Sequence, residues 1–297
     1  MKGKNPFAQA PQPYQITVIG SAALLDAVEY AIEESIDCDV LAVTRRVDPV
    51  VSHLVLLVDE PDRTAVHAEI ARAALPFEAP EIREMRLKDI DWVSKVQKDF
   101  PPFTMGPFYV YGSHAPAERP KNRHPLLIDA AAAFGTGEHA TTAGCLLALA
   151  QVKKQRPHLR HVLDMGCGTA ILAIGAARLW KHARITACDN DPVAVTVTKH
   201  NLRVNRVAAR SAAFVSDGYH THRVRKQRYP LIVANILAKP LMRMAPAASR
   251  QIVPGGAIIL SGLLRRQESM VLAAHRAQGR YLTRRIRRGD WSVLVLR

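Results

Sequence analysis

The stretch from His161 to Asn190, HVLDMGCGTAILAIGAARLWKHARITACDN, decides the fold. Val162 and Leu163 read as a short buried strand. Gly166 and Gly168 follow as a tight turn where a ligand can approach the main chain, because glycine carries no Cβ. Ile171, Leu172, Ile174 and Leu179 then recur at helical spacing. Arg184 to Cys188 reads as a second strand, with Asp189 at its carboxyl end. This is one β-α-β unit with a ligand crevice at the strand tips. An acid about twenty residues past the glycines is placed to accept both ribose hydroxyls of a nucleoside.

The glycine spacing selects among nucleosides. A dinucleotide fingerprint G-x-G-x-x-G/A needs glycine or alanine at position 171, which is Ile171. The pattern here is G-x-G-x-A with Asp164 just before the turn. S-adenosylmethionine has no pyrophosphate to cradle, and it carries an ammonium and a sulfonium that suit a nearby carboxylate. Asp164, Gly166, Gly168 and Asp189 are therefore the expected cofactor-binding residues.

Further candidates lie at other predicted strand tips. Ser216-Asp217-Gly218 follows the predicted strand 212–215, which places Asp217 where it can face an adenine amino group or simply close a turn. The run 229–234 is a buried strand that ends in Asn235-Ile236-Leu237-Ala238, so a polar side chain stands beside the crevice. Upstream, Phe134-Gly135-Thr136-Gly137-Glu138-His139-Ala140-Thr141-Thr142 reads as a glycine loop. Thr141 or Thr142 is expected to cap the helix through Leu146, Leu147 and Leu149, and free N–H groups at a helix start suit a carboxylate. His139 is read as a hydrogen-bonded loop histidine rather than a base.

The 297 residues carry a formal net charge of +15, unevenly spread. Residues 1–101 hold 11 Lys/Arg against 17 Asp/Glu, and residues 102–297 hold 30 against 9. The acidic part suits a basic protein, and the basic part suits nucleic acid or is a solvated arginine-rich surface. Arg284, Arg285, Arg287 and Arg288 sit in a predicted final hairpin, where they can meet RNA phosphates or guard an edge strand against aggregation. No apolar run approaches the roughly 20 residues that span a bilayer, so no membrane partner is expected. Cys38, Cys145, Cys167 and Cys188 show no C-x-x-C spacing, so no metal site is expected. A reducing cytoplasm fits.

The expected architecture is α/β. A loose tail (1–13) precedes a β-α-β-β-α-β module (14–98) whose order suggests a small α+β ferredoxin-like recognition domain. A proline- and aromatic-rich linker that packs (99–124) leads to a class I, Rossmann-like methyltransferase domain (125–297). In detail, strands are predicted at 15–19, 40–43, 54–58 and 82–90, helices at 91–98 and 241–252, and a turn at Pro254-Gly255-Gly256. A later helix carries Met270, Leu272 and Ala273.

These residues resemble one family, the methyltransferases that modify large-subunit ribosomal protein eleven. The resemblance covers almost the whole chain: the acidic module, the Trp92 region, the Phe134–Thr142 loop, the Asp164 turn, Asp189-Asn190-Asp191-Pro192, Asn235-Ile236-Leu237-Ala238 and Trp291. The asparagine box is its most specific piece. The resemblance implies that Thr142, Gly166, Asp189 and Asn235 contact S-adenosylmethionine. It also implies methyl transfer to lysine side chains and the N-terminal amine of a ribosomal protein. Asn235 is the expected catalytic residue, orienting the amine. Ala170 departs from the family's third glycine, and Glu138 and Ala140 from its usual threonine and proline. A lysine of another protein, such as a flavoprotein subunit, or an RNA acceptor fits the same chemistry.

Overall fold

The computed structural model describes residues 14–35, 40, 42–47, 52–58, 62–86, 102–113, 120–128 and 138–297. The predicted tail, the helix at 91–98, Trp92, Cys38 and the Phe134–Gly137 loop lie outside them. The chain divides into two compact units, Met1–Trp92 and Val93–Arg297.

In the first unit, β1 (Tyr14–Ile19), α1 (Ala22–Glu34), β2 (Ala42–Val47), β3 (Ser52–Val58), α2 (Arg63–Ala74) and β4 (Glu81–Arg86) follow one another. The sheet order is β2-β3-β1-β4, and all neighbours are antiparallel. Period-2 alternation puts Ile16, Val18, Leu54, Leu56 and Val58 on one face. They pack on Leu24, Leu25 and Val28 of α1 and on Val66 and Ile70 of α2. Ser21 caps α1, its Oγ accepting the Leu24 N–H at 3.3 Å. The second strand runs 42–47 rather than 40–43, because its pairing with β3 carries on through Thr44-Arg45-Arg46.

The second unit opens with β5 (Phe103–Met105), β6 (Phe108–Tyr111) and β7 (His124–Leu127), which form a three-stranded sheet. Phe108, Val110 and Leu126 enter the same core as the central helices, so this segment packs as part of the unit.

Then come α3 (Glu138–Gln155), β8 (His161–Met165), α4 (Ile171–Leu179), β9 (Arg184–Asp189), α5 (Pro192–Val204) and β10 (Ser211–Val215). They are followed by the short α6 (His222–Arg225), β11 (Tyr229–Asn235), α7 (Ala238–Arg243), α8 (Ala245–Gln251) and β12 (Ile252–Leu264). The chain closes with α9 (Glu268–Arg276), β13 (Leu282–Arg288) and β14 (Trp291–Leu296). The sheet order is β10-β9-β8-β11-β12-β14-β13. The first five strands are parallel, and β14 runs antiparallel between β12 and β13. The chain enters at the central β8, winds out through β9 and β10, and returns to β11. The order therefore reverses between β8 and β11, and the crevice for a ligand opens at the carboxyl ends of that pair. Helix α4 is buried on nearly every side, which explains its almost unbroken apolar sequence.

Several expected boundaries differ. The helix expected at 241–252 is two helices, because Pro246 has no N–H to continue the ladder. The expected turn at Pro254-Gly255-Gly256 lies inside β12. Gly255 takes φ +68° there, and the pairing with β11 shifts register. Met270 is 47% exposed, and Val271, Leu272 and His275 form the buried face of α9 instead.

The basic hairpin is also partly committed. Buried Glu268 accepts Arg285 Nε at 2.7 Å, Arg287 Nε at 2.9 Å and Arg287 Nη2 at 3.0 Å, and Ser292 Oγ donates to it as well. The hydrogen bonds from Arg287, ahead of Ser292 and the neighbouring arginine charges, hold its carboxyl below the usual glutamate range. A depressed carboxylate stabilises the fold above its unfolded pKa, and the benefit is lost as pH falls through the folded value. Glu268→Gln is expected to cost about 1.5 kcal/mol at pH 7, with wild type and variant converging as pH falls through the depressed folded value. Denaturant titrations at pH 7 and at a series of lower pH values measure both.

Candidate active site

Three strand tips build the site. Strand β8 delivers Asp164 and then turns sharply. Gly166 and Gly168 sit at φ +68° and +49°, which side-chain-bearing residues rarely adopt. The N–H groups of Gly166 and Cys167 both donate to the Cys188 carbonyl, at 2.8 and 3.1 Å, tying this turn to β9. A Cβ on Gly168 would meet nothing within 4 Å, so its Cα faces open space. Ala170 also holds a left-handed conformation, φ 65° and ψ 19°, at the start of α4. The departure from the family's third glycine therefore falls on a backbone position that favours glycine.

Asp189, at the tip of β9, is held from two sides. Its Oδ2 accepts the Gly168 N–H at 2.9 Å and its Oδ1 the Asp191 N–H at 3.1 Å. Each carboxylate oxygen has a second acceptor position, so both remain able to take a hydroxyl. Asp191 caps α5 through the Val193 N–H at 2.7 Å, with Pro192 in the first turn. Asp191 was not expected as part of this apparatus, although the Asp-Pro pair is a legible helix start.

Asp164 is 1% exposed. Its Oδ2 accepts the Ala173 N–H at 2.8 Å, and its Oδ1 has no hydrogen-bond partner. Burial, opposed by that hydrogen bond and reinforced by the Asp189 charge, pushes its carboxyl up to about 7. The folded value lies above the ordinary 3.8, so this group favours the fold at low pH, and that advantage fades as pH rises toward about 7. An uncompensated buried acceptor is costly. A cation brought to Oδ1 would relieve that cost and favour the ionised form.

Asn235 closes the tip of β11. Its Nδ2 donates to Thr141 Oγ1 at 3.4 Å, and its Oδ1 is buried with no partner. Helix α3 begins at Glu138, so neither Thr141 nor Thr142 is its cap. Both are buried inside the second turn. The helix-compatible Glu138-His139-Ala140 extends it a turn earlier than the loop reading allowed. It is Thr141 that reaches Asn235; Thr142 lies beside it in sequence. The next residue, Ile236, lies between two glycines, its side chain against Gly166 and its main chain against Gly262. A Cβ on Gly166 would run into its Cγ2, and a Cβ on Gly262, at φ +81°, would come within 2.7 Å of its main-chain carbonyl carbon. Leu237 beyond it is 68% exposed.

Asp217 is exposed, in the turn after β10. That turn is anchored beside Asp189, since the Ser216 N–H donates to the Asp189 carbonyl at 2.8 Å. The structure thus brings Asp164, Gly166, Gly168, Asp189, Asn235 and the Asp217 turn to one edge of the sheet.

Cys145, Cys167 and Cys188 are free and buried, and burial raises all three thiols, Cys145 to about 12.

Comparison with known proteins follows the same lines. A model of the family described as "Ribosomal protein L11 methyltransferase (PrmA)" matches residues 18–297. A protein named ribosomal protein L11 methyltransferase from Mesorhizobium japonicum is 39% identical over 94% of this chain and 96% of its own. One of the same name from Rhizobium meliloti is 36% identical, over 93% of this chain and 94% of its own. The crystal structure of ribosomal protein L11 methylase from Lactobacillus delbrueckii subsp. bulgaricus superposes with a TM-score of 0.57. It covers 67% of this chain and 97% of its own at 22% identity, which establishes the shared fold.

Proposed function

The chain belongs to the ribosomal protein L11 methyltransferase family, and from that premise we propose that it transfers methyl groups from S-adenosylmethionine to amines of ribosomal protein L11. One observation carries this reading. Two buried acceptor oxygens without partners, Asp164 Oδ1 and Asn235 Oδ1, belong to the two strands that flank the switch point.

These residues fit the donor. Asp164 suits its ammonium, the open face of Gly168 suits close approach to the main chain, and Asp189 suits its ribose. Asp217, in the turn beside Asp189, suits the adenine amino group, and Thr142 is carried here from the family pattern. When bound, S-adenosylmethionine supplies an electrophilic methyl group on a sulfonium. The chain's task is to deliver a neutral amine in line with it. Lysine has a reference pKa of about 10.4, so the acceptor must shed a proton, which a desolvated site favours. Asn235 Oδ1 accepts an N–H of the amine and aims its lone pair at the methyl carbon. Exposed Leu237 offers an apolar lip for the lysine methylenes.

The N-terminal unit reads as a ferredoxin-like recognition domain. Its support is the β-α-β-β-α-β succession with β1 and β3 central, and its acidic composition, which complements a basic ribosomal protein. The enzyme reads as cytoplasmic, in keeping with the three free thiols among the described residues. Among the described residues no helix is long and apolar enough to cross a membrane.

The test is incubation with tritiated S-adenosylmethionine and either purified ribosomal protein L11 or a cell lysate. Label is expected on the ribosomal protein and to resist nuclease. Label on another protein, or label removed by nuclease, would replace this substrate.

The pH dependence checks the role of Asp164. A bound cation selects the ionised carboxylate, so affinity for S-adenosylhomocysteine, which keeps the ammonium, is expected to fall about tenfold per pH unit below 7. Calorimetry between pH 5 and 7 measures it, and Asp164→Asn should bind weakly with a flat profile.

A further inference from the structure

Charge in the methyltransferase unit is sorted along the strands. Of the nine acids in residues 102–297, Asp164, Asp189, Asp191 and Asp217 stand at or just past the carboxyl tips of β8, β9 and β10. The opposite rim is built by the turns that lead into β8, β9, β10 and β11. Its segments 156–161, 180–184, 206–211 and 220–229 hold ten Lys/Arg and no Asp/Glu. Four adjacent strands at about 4.8 Å spacing make this rim about 15 Å wide.

The rim is also shaped. A groove of about 540 Å³ is lined by Arg184, Thr186, Arg210, Phe214, Arg223 and Lys226, among others. Arg210 belongs to the scaffold, since its guanidinium donates to the carbonyls of Ala177 (2.6 Å), Trp180 (3.2 Å) and Ala183 (3.1 Å). Arg184, Arg223 and Lys226 are exposed. The Arg223 guanidinium lies 5.5 Å from the centre of the half-buried Phe214 ring. The groove thus combines exposed cations, a fixed cation and an aromatic-guanidinium surface.

We propose that this groove binds a single-stranded segment of RNA. Arg184, Arg223 and Lys226 hold phosphates, and a base lies against the Phe214–Arg223 pair. Unbroken positive charge suits a regular chain of phosphates, and a flat π surface suits bases, which a run of acidic side chains lacks. The strands separate this rim from the methyl-donor crevice by about 16 Å, so the RNA is a tether and not the methyl acceptor. The choice of RNA rests on the reading of the chain as an enzyme of a ribosomal protein, whose surroundings are rich in that polymer. RNA binding is measured at equilibrium without turnover. A failure to methylate the ribosomal protein would therefore sink that reading while leaving the groove's affinity on record.

The experiment is fluorescence anisotropy with a labelled 12-nucleotide single-stranded RNA and the full chain, titrated at several salt concentrations. Arg184→Gln/Arg223→Gln/Lys226→Gln is expected to weaken binding at least tenfold. Loss of three phosphate contacts should also lower the slope of log affinity against log salt by about 2. Arg250→Gln/Arg265→Gln/Arg276→Gln removes the same charge elsewhere and is expected to change affinity less than threefold. Unchanged S-adenosylhomocysteine affinity in both triple variants shows the fold intact. A loss of less than tenfold in the groove variant, or an equal loss in the control variant, overturns the proposal. So does displacement of the RNA by charge-matched polyglutamate as readily as by unlabelled RNA, which would assign the groove to an acidic protein.

Discussion

Asn235→Ala is expected to lower kcat about a hundredfold while weakening S-adenosylhomocysteine only a few-fold. Its Oδ1 is buried and without a partner, so it is already desolvated and aimed before an acceptor arrives. Removing one such preorganised group from a reacting centre costs roughly 10²–10³ in kcat. The amide is steadied by Thr141 Oγ1 at 3.4 Å, a long contact, so Thr141→Val should matter far less. Single-turnover rates at saturating cofactor separate the chemical step from binding. Full turnover in Asn235→Ala would remove this residue from the mechanism.

Asp189→Ala is expected to weaken the cofactor by ten- to a hundredfold. Charge-assisted hydrogen bonds of the kind a carboxylate makes to ribose hydroxyls are worth about 1.5–3 kcal/mol. The carboxylate also takes N–H groups from Gly168 and Asp191, so the alanine variant loosens the glycine turn as well. Asp189→Asn keeps one acceptor oxygen and should fall between. Calorimetry with S-adenosylhomocysteine decides it. Unchanged affinity in the alanine variant would place the sugar elsewhere.

The part of the fold that was legible is the part set by neighbours in sequence. The β-α-β unit around Gly166 could be read because a buried apolar run, a glycine turn and a helical period all lie within thirty residues, and Asp189 falls at a fixed distance from the turn. Asn235 was legible because a polar residue ends a long apolar run. What escaped depends on distant partners. The Asn205 side chain bonds both the N–H and the carbonyl of Leu127, 78 residues away, and nothing local to either announces it. The start of α3 escapes because Gly135 and Gly137 just before it read as a loop that runs on to the threonines, although Glu138 and Ala140 are good helix formers. The contact of Thr141 with Asn235 likewise joins positions 94 residues apart. Glu268 hid among arginines, where composition suggested only free positive charge.

Ile236 has a consequence of its own. With its side chain against the Cα of Gly166 and its main chain against the Cα of Gly262, it acts as a spacer between the ends of β8 and β12, which flank β11. A side chain at Gly166 would collide with its Cγ2, which a smaller residue at 236 relieves, whereas one at Gly262 would collide with its main chain, which no substitution at 236 relieves. Positions 166 and 236 can therefore drift over evolutionary time as a pair while Gly262 stays fixed. An engineer seeking room for a bulkier amine would trim the isoleucine first and leave both glycines alone.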